Sequence, residues 1–285
     1  MSSKFLTPFE IADFTSNLAV KKANMSVSSQ FILGIMAGVF IAFGSEAANM
    51  AAHTTADIST AKIMSGLIFP AGLILVLTAG GELFTGNNLM ITGLLQRKIT
   101  LKQLLRSWLV VYLGNLTGGV IIAYLMAWSG QFDYSNGLLG AFTVKTAVSK
   151  ISLKFTRAVV MGVLCNWLVC LAVWTSFGAK DGISKAVCVF FPVWLFVASG
   201  FEHSVANMYY ISAGIIAKSE PLYVTKALET GVIQSGIEAL NWGSMFTANL
   251  IPVTLGNIIG GGIFTGAVYW FVYLRGKDYE HNENT

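Results

Sequence analysis

Apolar residues run along this chain in long blocks rather than in the short periodic stripes of a soluble domain. The blocks cover roughly 31–51, 63–95, 108–128, 158–177, 186–217 and 246–274. A helix needs about 20 mostly apolar residues to cross the hydrocarbon of a bilayer, so the pattern predicts six spans. Two blocks are too long for one straight helix, and both are interrupted. The first interruption is Ala79-Gly80-Gly81-Glu82-Leu83-Phe84-Thr85-Gly86-Asn87-Asn88; the second is Ser199-Gly200-Phe201-Glu202-His203-Ser204. Two half-helices joined by a loop fit each of them. Non-helical backbone at membrane depth is tolerated where it lines a cavity, and an ionisable side chain there marks a pathway. The two breaks are therefore the expected functional centre.

Residues 1–28 are polar enough to stay outside the hydrocarbon. Thr7-Pro8-Phe9-Glu10 is a capping box with proline at the first helical position. Ile11, Phe14 and Leu18 then share one face, and Lys21 and Lys22 occupy the last turn, where cations suit the helix dipole. This predicts a short amphipathic helix on the membrane surface, with a solubilising tail as the bland alternative. No cleavable signal is expected, because the first thirty residues hold Glu10, Asp13, Lys21 and Lys22 and no continuous apolar core. The organisation is then an N-terminal helix (1–28), a transmembrane domain (29–276) and a tail (277–285). Eleven basic residues lie outside the spans at the termini and in the 97–106 and 180–185 loops, against seven on the other side. The positive-inside rule puts both termini in the cytoplasm of a multi-pass plasma (inner) membrane protein.

The halves of the chain echo each other. Leu113-Gly114-Asn115 with Gly118-Gly119, Ile121 and Trp128 recurs at one fixed offset as Leu255-Gly256-Asn257 with Gly260-Gly261, Ile263 and Trp270. Each interrupted block opens with Phe-Pro (Phe69-Pro70, Phe191-Pro192) and breaks at a glycine and a glutamate (Gly80 and Glu82, Gly200 and Glu202). Two copies of three spans, at 29–130 and 155–276, are implied. An odd number of spans per copy inverts one copy relative to the other, so both breaks meet near the midplane. The fold expected is an all-α polytopic membrane protein of two inverted three-span repeats, interrupted in the second and fifth spans.

Composition agrees. Of 285 residues, 54% are hydrophobic and 11% charged, where soluble domains carry about 25% charged residues. A net charge of +4 spread along the chain gives nucleic acid no footprint, and the lipid bilayer is the expected partner. Cys165, Cys170 and Cys188 all lie in apolar segments without C-x-x-C spacing and read as small buried hydrophobes. No metal-ligand cluster is visible, and no cofactor is expected.

His203 is one of three histidines and the one deep in an apolar block, where a side chain with a near-neutral pKa can pass a proton in either direction. Glu202 either orients it or holds backbone amides. Thr85, Asn87 and Asn88 bring neutral donors to the other break and suit a small, partly dehydrated anion, while Glu82 is expected to cap its loop. Lys150 either draws anions into a vestibule or snorkels at the interface. Phe69, Leu73, Leu83, Phe84 and Phe196 flank the breaks and either form apolar constrictions or pack the core.

At these residues the chain resembles the formate/nitrite transporter family. The resemblance is carried by Gly81-Glu82-Leu83-Phe84-Thr85-Gly86, by Leu164-Cys165-Asn166-Trp167-Leu168-Val169-Cys170, by the stretch 196–208 and by Asn249-Leu250-Ile251-Pro252-Val253-Thr254-Leu255-Gly256-Asn257. It implies an aquaporin-like fold assembled as a homopentamer, with one pore per protomer. Small monovalent weak-acid anions are the implied substrates: formate first, then nitrite or hydrosulfide. It makes Thr85 the loop threonine, His203 the central histidine, Lys150 the vestibule lysine sixteen residues before Asn166, and Phe69, Leu73, Leu83, Phe84 and Phe196 the slit residues. Proton coupling through the histidine is a family possibility.

Other classes fit less well. A water channel of this architecture would carry paired Asn-Pro-Ala boxes, and an ammonia channel would need a second intramembrane histidine. An intramembrane enzyme with His203 as general base lacks a nucleophile in a suitable setting.

Overall fold

Several helix starts along the chain are set by side chains that satisfy the first free amides. In the computed structural model, which describes residues 5–276, Thr7 and Glu10 form the expected capping box at the start of α1 (Pro8–Ala23). Ser26 caps α2 (Val27–Ala52), and Asp57 caps α3 (Ile58–Gly80) through the Thr60 amide at 2.6 Å. Thr100 and Gln103 form a second capping box at α6 (Leu101–Trp128), and Asp181 caps α9 (Gly182–Ala198). Such caps are each worth about 1 kcal/mol.

Between α3 and α6 the chain folds back through α4 (Phe84–Asn87), a single 3-10 turn and α5 (Ile91–Leu95). The second half runs through α7 (Tyr134–Ile151), α8 (Phe155–Gly178), α9, α10 (Ser204–Ala217), α11 (Pro221–Glu229) and α12 (Gln234–Ala239) to α13 (Trp242–Tyr273). Among the described residues, α2, α3, α6, α8 and α13 are long and apolar enough to cross a membrane, and α9 and α10 are shorter apolar helices. The tail expected at 277–285 lies outside the described residues.

The molecule is apolar outside and encloses polar side chains within an otherwise apolar core. Leu109, Val160, Leu195 and Phe271 point outward with more than half their surface free, whereas Asn115, Asn166, Ser212 and Asn257 are fully enclosed. That distribution suits hydrocarbon as solvent, where every interior polar group needs an internal partner.

Close helix contacts are made through glycine. The α2–α6 and α8–α13 pairs cross with backbone against backbone: a Cβ on Gly118 would overlap the Ile35 carbonyl oxygen, and one on Gly256 the Val159 carbonyl oxygen. Small residues allow this approach, and packing replaces the hydrophobic driving force that lipid cannot supply. Gly118→Val is therefore expected to prevent the α2–α6 contact. Overpacking costs about 1–3 kcal/mol in a soluble core, and here backbone must move. Size-exclusion profiles and melting in detergent should show a destabilised or aggregated product, and a monodisperse variant with wild-type melting would refute this account.

Two elements extend what the hydrophobic pattern shows. The first is α1, which lays Ile11, Ala12, Thr15 and Ala19 onto the fold beside α5 and α8 and carries Lys22 inward. The second is α7, which has no counterpart among the apolar blocks. It buries Leu139, Val144, Ala147 and Ile151 against α10 and α11, and ends at Lys150. Each of these helices leads directly into a long apolar one, α1 into α2 and α7 into α8.

Candidate functional site

Both breaks form where the chain turns through glycine. Gly80 (φ 89°) and Gly200 (φ 71°) are left-handed, a conformation that glycine alone adopts without steric cost. Beyond each, the backbone runs extended for a few residues and then starts a new helix, at Phe84 and at Ser204. Two backbone groups of each break, one amide and one carbonyl, go to one buried asparagine. Asn115 on α6 accepts from the Phe84 amide (2.9 Å) and donates to the carbonyls of Gly34 (2.8 Å) and Glu82 (2.9 Å). Asn257 on α13 accepts from the Ser204 amide (2.9 Å) and donates to Gly162 (2.8 Å) and Glu202 (3.0 Å). The Leu-Gly-Asn string that recurs in the sequence supplies both.

Each break also carries an ion pair. Glu82 takes both carboxylate oxygens to Lys22 Nζ (2.7 and 2.8 Å) and accepts from Asn87 (2.7 Å). Glu202 accepts from Lys150 Nζ (3.0 Å), Asn207 (2.6 Å) and Asn249 (3.3 Å). Lys150 also lies 5.1 Å from the centre of the Tyr210 ring. Side chains of both pairs are mostly enclosed, at 18% and 8% exposure for Lys22 and Glu82 and 13% and 7% for Lys150 and Glu202. Neither carboxylate is left to repel an anion, and neither of these two lysines offers an unbalanced charge.

Thr85 and His203 meet at the centre, Oγ1 to Nε2 at 2.9 Å, with exposures of 0% and 3%. The amide of Ala206 donates to His203 Nδ1 at 3.1 Å. That bond fixes the tautomer: Nδ1 carries no proton, so the ring is neutral and its Nε2–H donates to the threonine oxygen. The threonine proton is then free for a third group. Phe196 stacks on the imidazole, ring centres 5.9 Å apart, and meets Phe69 edge-on at 5.7 Å.

A cavity lies on either side of this contact. One, of about 320 Å³, is lined by His203, Phe69, Phe196, Lys150, Glu202 and Lys62 among others. The other, of about 220 Å³, is lined by Leu73, Leu83 and Gly86 together with Lys21, Lys22 and Glu82. Of the residues singled out from the sequence, Phe69, Lys150, Phe196, Glu202 and His203 border the first cavity, Leu73, Glu82, Leu83 and Asn87 border the second, and Thr85 borders the central contact. Asn166 does so from behind, its amide reaching the Thr85 carbonyl (3.3 Å), Asn88 (2.8 Å) and the Asn257 carbonyl (2.7 Å). Phe84 stands apart: its ring packs edge-on against Trp108 and Tyr112 on α6 and lines neither cavity.

Sequence reasoning read Lys22 only as a cation at the helix dipole and gave Lys62 no role at the site. Lys22 precedes Gln30 by the distance that separates Lys150 from Ala158, and each lysine closes the helix ahead of a long apolar one. That equivalence was the signal available.

Comparison with known proteins agrees on one group. The family model described as formate/nitrite transporter matches residues 9–271. The formate channel FocA of Escherichia coli is 39% identical over 278 residues, covering 96% of this chain and 96% of that protein. FocA of Haemophilus influenzae is 41% identical over 270 residues, covering 93% and 94%. A solved structure described as a pentameric formate channel with formate bound superposes with a TM-score of 0.77 at 37% identity, covering 87% of this chain and 98% of that one. With the match running through both breaks and both ion-paired glutamates, this all-helical, multi-pass membrane chain belongs to the formate/nitrite transporter family.

Proposed function

We propose that the protein conducts small monovalent weak-acid anions across the membrane, formate foremost, with nitrite and hydrosulfide as weaker candidates. The observation that carries this is the Thr85–His203 contact, set between two cavities behind apolar walls. An isolated anion in such a slit is strongly disfavoured, and a weak acid passes more easily when transiently neutralised. The relatives named as formate channels support the choice of substrate.

The neutral histidine sets the order of proton steps. Its Nε2–H cannot be given away while Nδ1 is bare, since that would leave an imidazolate. A proton therefore arrives first at Nδ1 from the cavity that His203 lines, displacing the Ala206 amide. The Nε2 proton then passes to Thr85 Oγ1 as the Thr85 hydroxyl proton passes to the anion. The acid leaves on the far side or re-ionises there. Lys150 serves this path by neutralising Glu202, and Phe69, Leu73, Leu83 and Phe196 serve it by excluding water.

The architecture we read is aquaporin-like, with six spans: α2, α3 with its return arm, α6, α8, α9 with α10, and α13. The recurrent hydrogen bonds of Asn115 and Asn257 support two inverted repeats, and the Lys22 and Lys150 pairs extend each repeat to include α1 and α7. Both termini are assigned to the cytoplasm of the inner membrane by the basic-residue bias, and the protomers to a homopentamer by the pentameric neighbour. A channel of this kind leaves its substrate unaltered apart from the transferred proton, and we read it as a transporter rather than an enzyme.

One experiment tests the reading. The purified protein should run as a pentamer by native mass spectrometry. In liposomes it should take up formate faster as external pH falls, with nitrite and hydrosulfide competing. Flux of water or ammonia without formate flux would defeat it.

A further inference from the structure

The charges around the His203-side cavity are unevenly matched. Lys150 and Glu202 hold each other at 3.0 Å. Lys62, in the second turn of α3, borders the same cavity. Among the described residues it has no carboxylate within 4.0 Å and no hydrogen bond, although Lys150 and Glu202 are near enough to act on it through space. Its position is nonetheless defined. The ammonium stands over the left-handed turn of the second break, where a Cβ on Gly200 would lie 3.3 Å from Nζ. Lys62 is exposed and lines the cavity, and Phe69, two turns further along α3, reaches Phe196 at the apolar neck. With the Lys150–Glu202 pair summing to zero, the net charge of this mouth is that of Lys62.

We infer that Lys62 is the anion-capture residue of the His203-side mouth, holding an incoming monovalent carboxylate beside Gly200 before it passes between Phe69 and Phe196. The inference rests on the anion-conducting function proposed above. A compact ammonium on a flexible stem suits a transient ion: it attracts a small anion as a point charge without the bidentate grip that would retain it. An uncancelled charge at a cavity with low-dielectric walls raises local anion concentration, and salt screens that effect. Lys62 therefore governs how readily the site fills, not how fast the bound anion crosses.

The test is formate uptake into liposomes by wild type and Lys62 variants, over a range of formate and salt. A Cys188→Ser background removes the half-buried thiol, while Cys165 and Cys170 are buried. In about 20 mM salt, Lys62→Cys and Lys62→Gln should raise KM about tenfold with the maximal rate within about twofold of wild type, and the difference should shrink below about twofold in about 0.5 M salt. Reaction of Lys62→Cys with aminoethyl methanethiosulfonate rebuilds the charge on the same folded protein and should restore the low KM. The sulfonatoethyl reagent should raise KM further. Lys62→Arg should keep the low KM while its bidentate grip slows the maximal rate, and provides the charge comparison without cysteine chemistry. A wild-type KM in Lys62→Gln overturns the inference, as does a raised KM that neither salt nor the restored amine alters. No formate uptake by wild type overturns the functional reading instead, and this inference with it.

Discussion

His203→Asn should yield a folded protein of unchanged assembly whose formate uptake no longer rises with acidity. Asparagine is a good N-cap, so it can take over the bond that His203 Nδ1 makes to the Ala206 amide at 3.1 Å. What it cannot do is take up a proton at one ring nitrogen and release one at the other. His203→Phe removes both the cap and the titratable ring. Positioned proton transfer is typically worth about 10²–10⁴-fold, so the acid-stimulated component should fall at least a hundredfold in both variants. Thr85→Ala removes the relay hydroxyl but leaves the ring, and should lower flux while preserving part of the pH response. The comparison is read as initial formate uptake in liposomes from acid to mildly alkaline pH, with melting temperature as the control for folding. A His203→Asn protein with the wild-type rate and pH profile would reduce the histidine to a helix cap.

Lys150→Met is the more damaging change to the protein as a whole, and Glu202→Gln should largely reverse it. Removing the lysine leaves a carboxylate with 7% exposure beside the cavity, held by two asparagine amides but by no cation at hydrogen-bond distance. Breaking a buried pair by removing one partner costs about 3–5 kcal/mol, whereas replacing both charges with neutral groups is often close to neutral. The single variant should therefore melt well below wild type and take up formate poorly, because the unpaired Glu202 carboxylate then cancels the Lys62 charge at the same mouth. The double variant should recover most of the melting temperature and a large part of the flux. If the lysine instead acted mainly by attracting substrate, the double variant would remain as inactive as the single one.

How far the sequence carried these conclusions depended on the kind of signal. Gly80 and Gly200 were legible because a glycine two residues before a glutamate inside an apolar block has few structural meanings, and both residues are left-handed breaks. The capping box at Thr7 was legible because it is purely local. Relations across the fold were harder. Lys22 in the last turn of a helix reads as a dipole cation just as well as the partner of Glu82, and only the folded chain distinguishes them. The position of Lys150 was visible, but not its neutralisation by Glu202. Phe84 looked equivalent to Leu83 by adjacency, yet the helix that starts there turns its ring onto Trp108 and Tyr112. α7 escaped because its apolar positions are interleaved with Asn136, Thr143, Lys145 and Lys150, so it never forms a block.

The two buried asparagines have a mechanical consequence. Each ties a break to three places at once: the restarting helix, the loop carbonyl and a neighbouring long helix. Swinging either half-helix as a rigid lever would part these bonds together and strand an amide side chain in a dry interior, at roughly 1–3 kcal/mol for each group left unsatisfied. The glycine contacts between α2 and α6, and between α8 and α13, leave no slack for sliding instead. The frame thus behaves as a stiff truss. Motion that admits or refuses an ion falls to its lightest parts, the rings and hydroxyl at the centre.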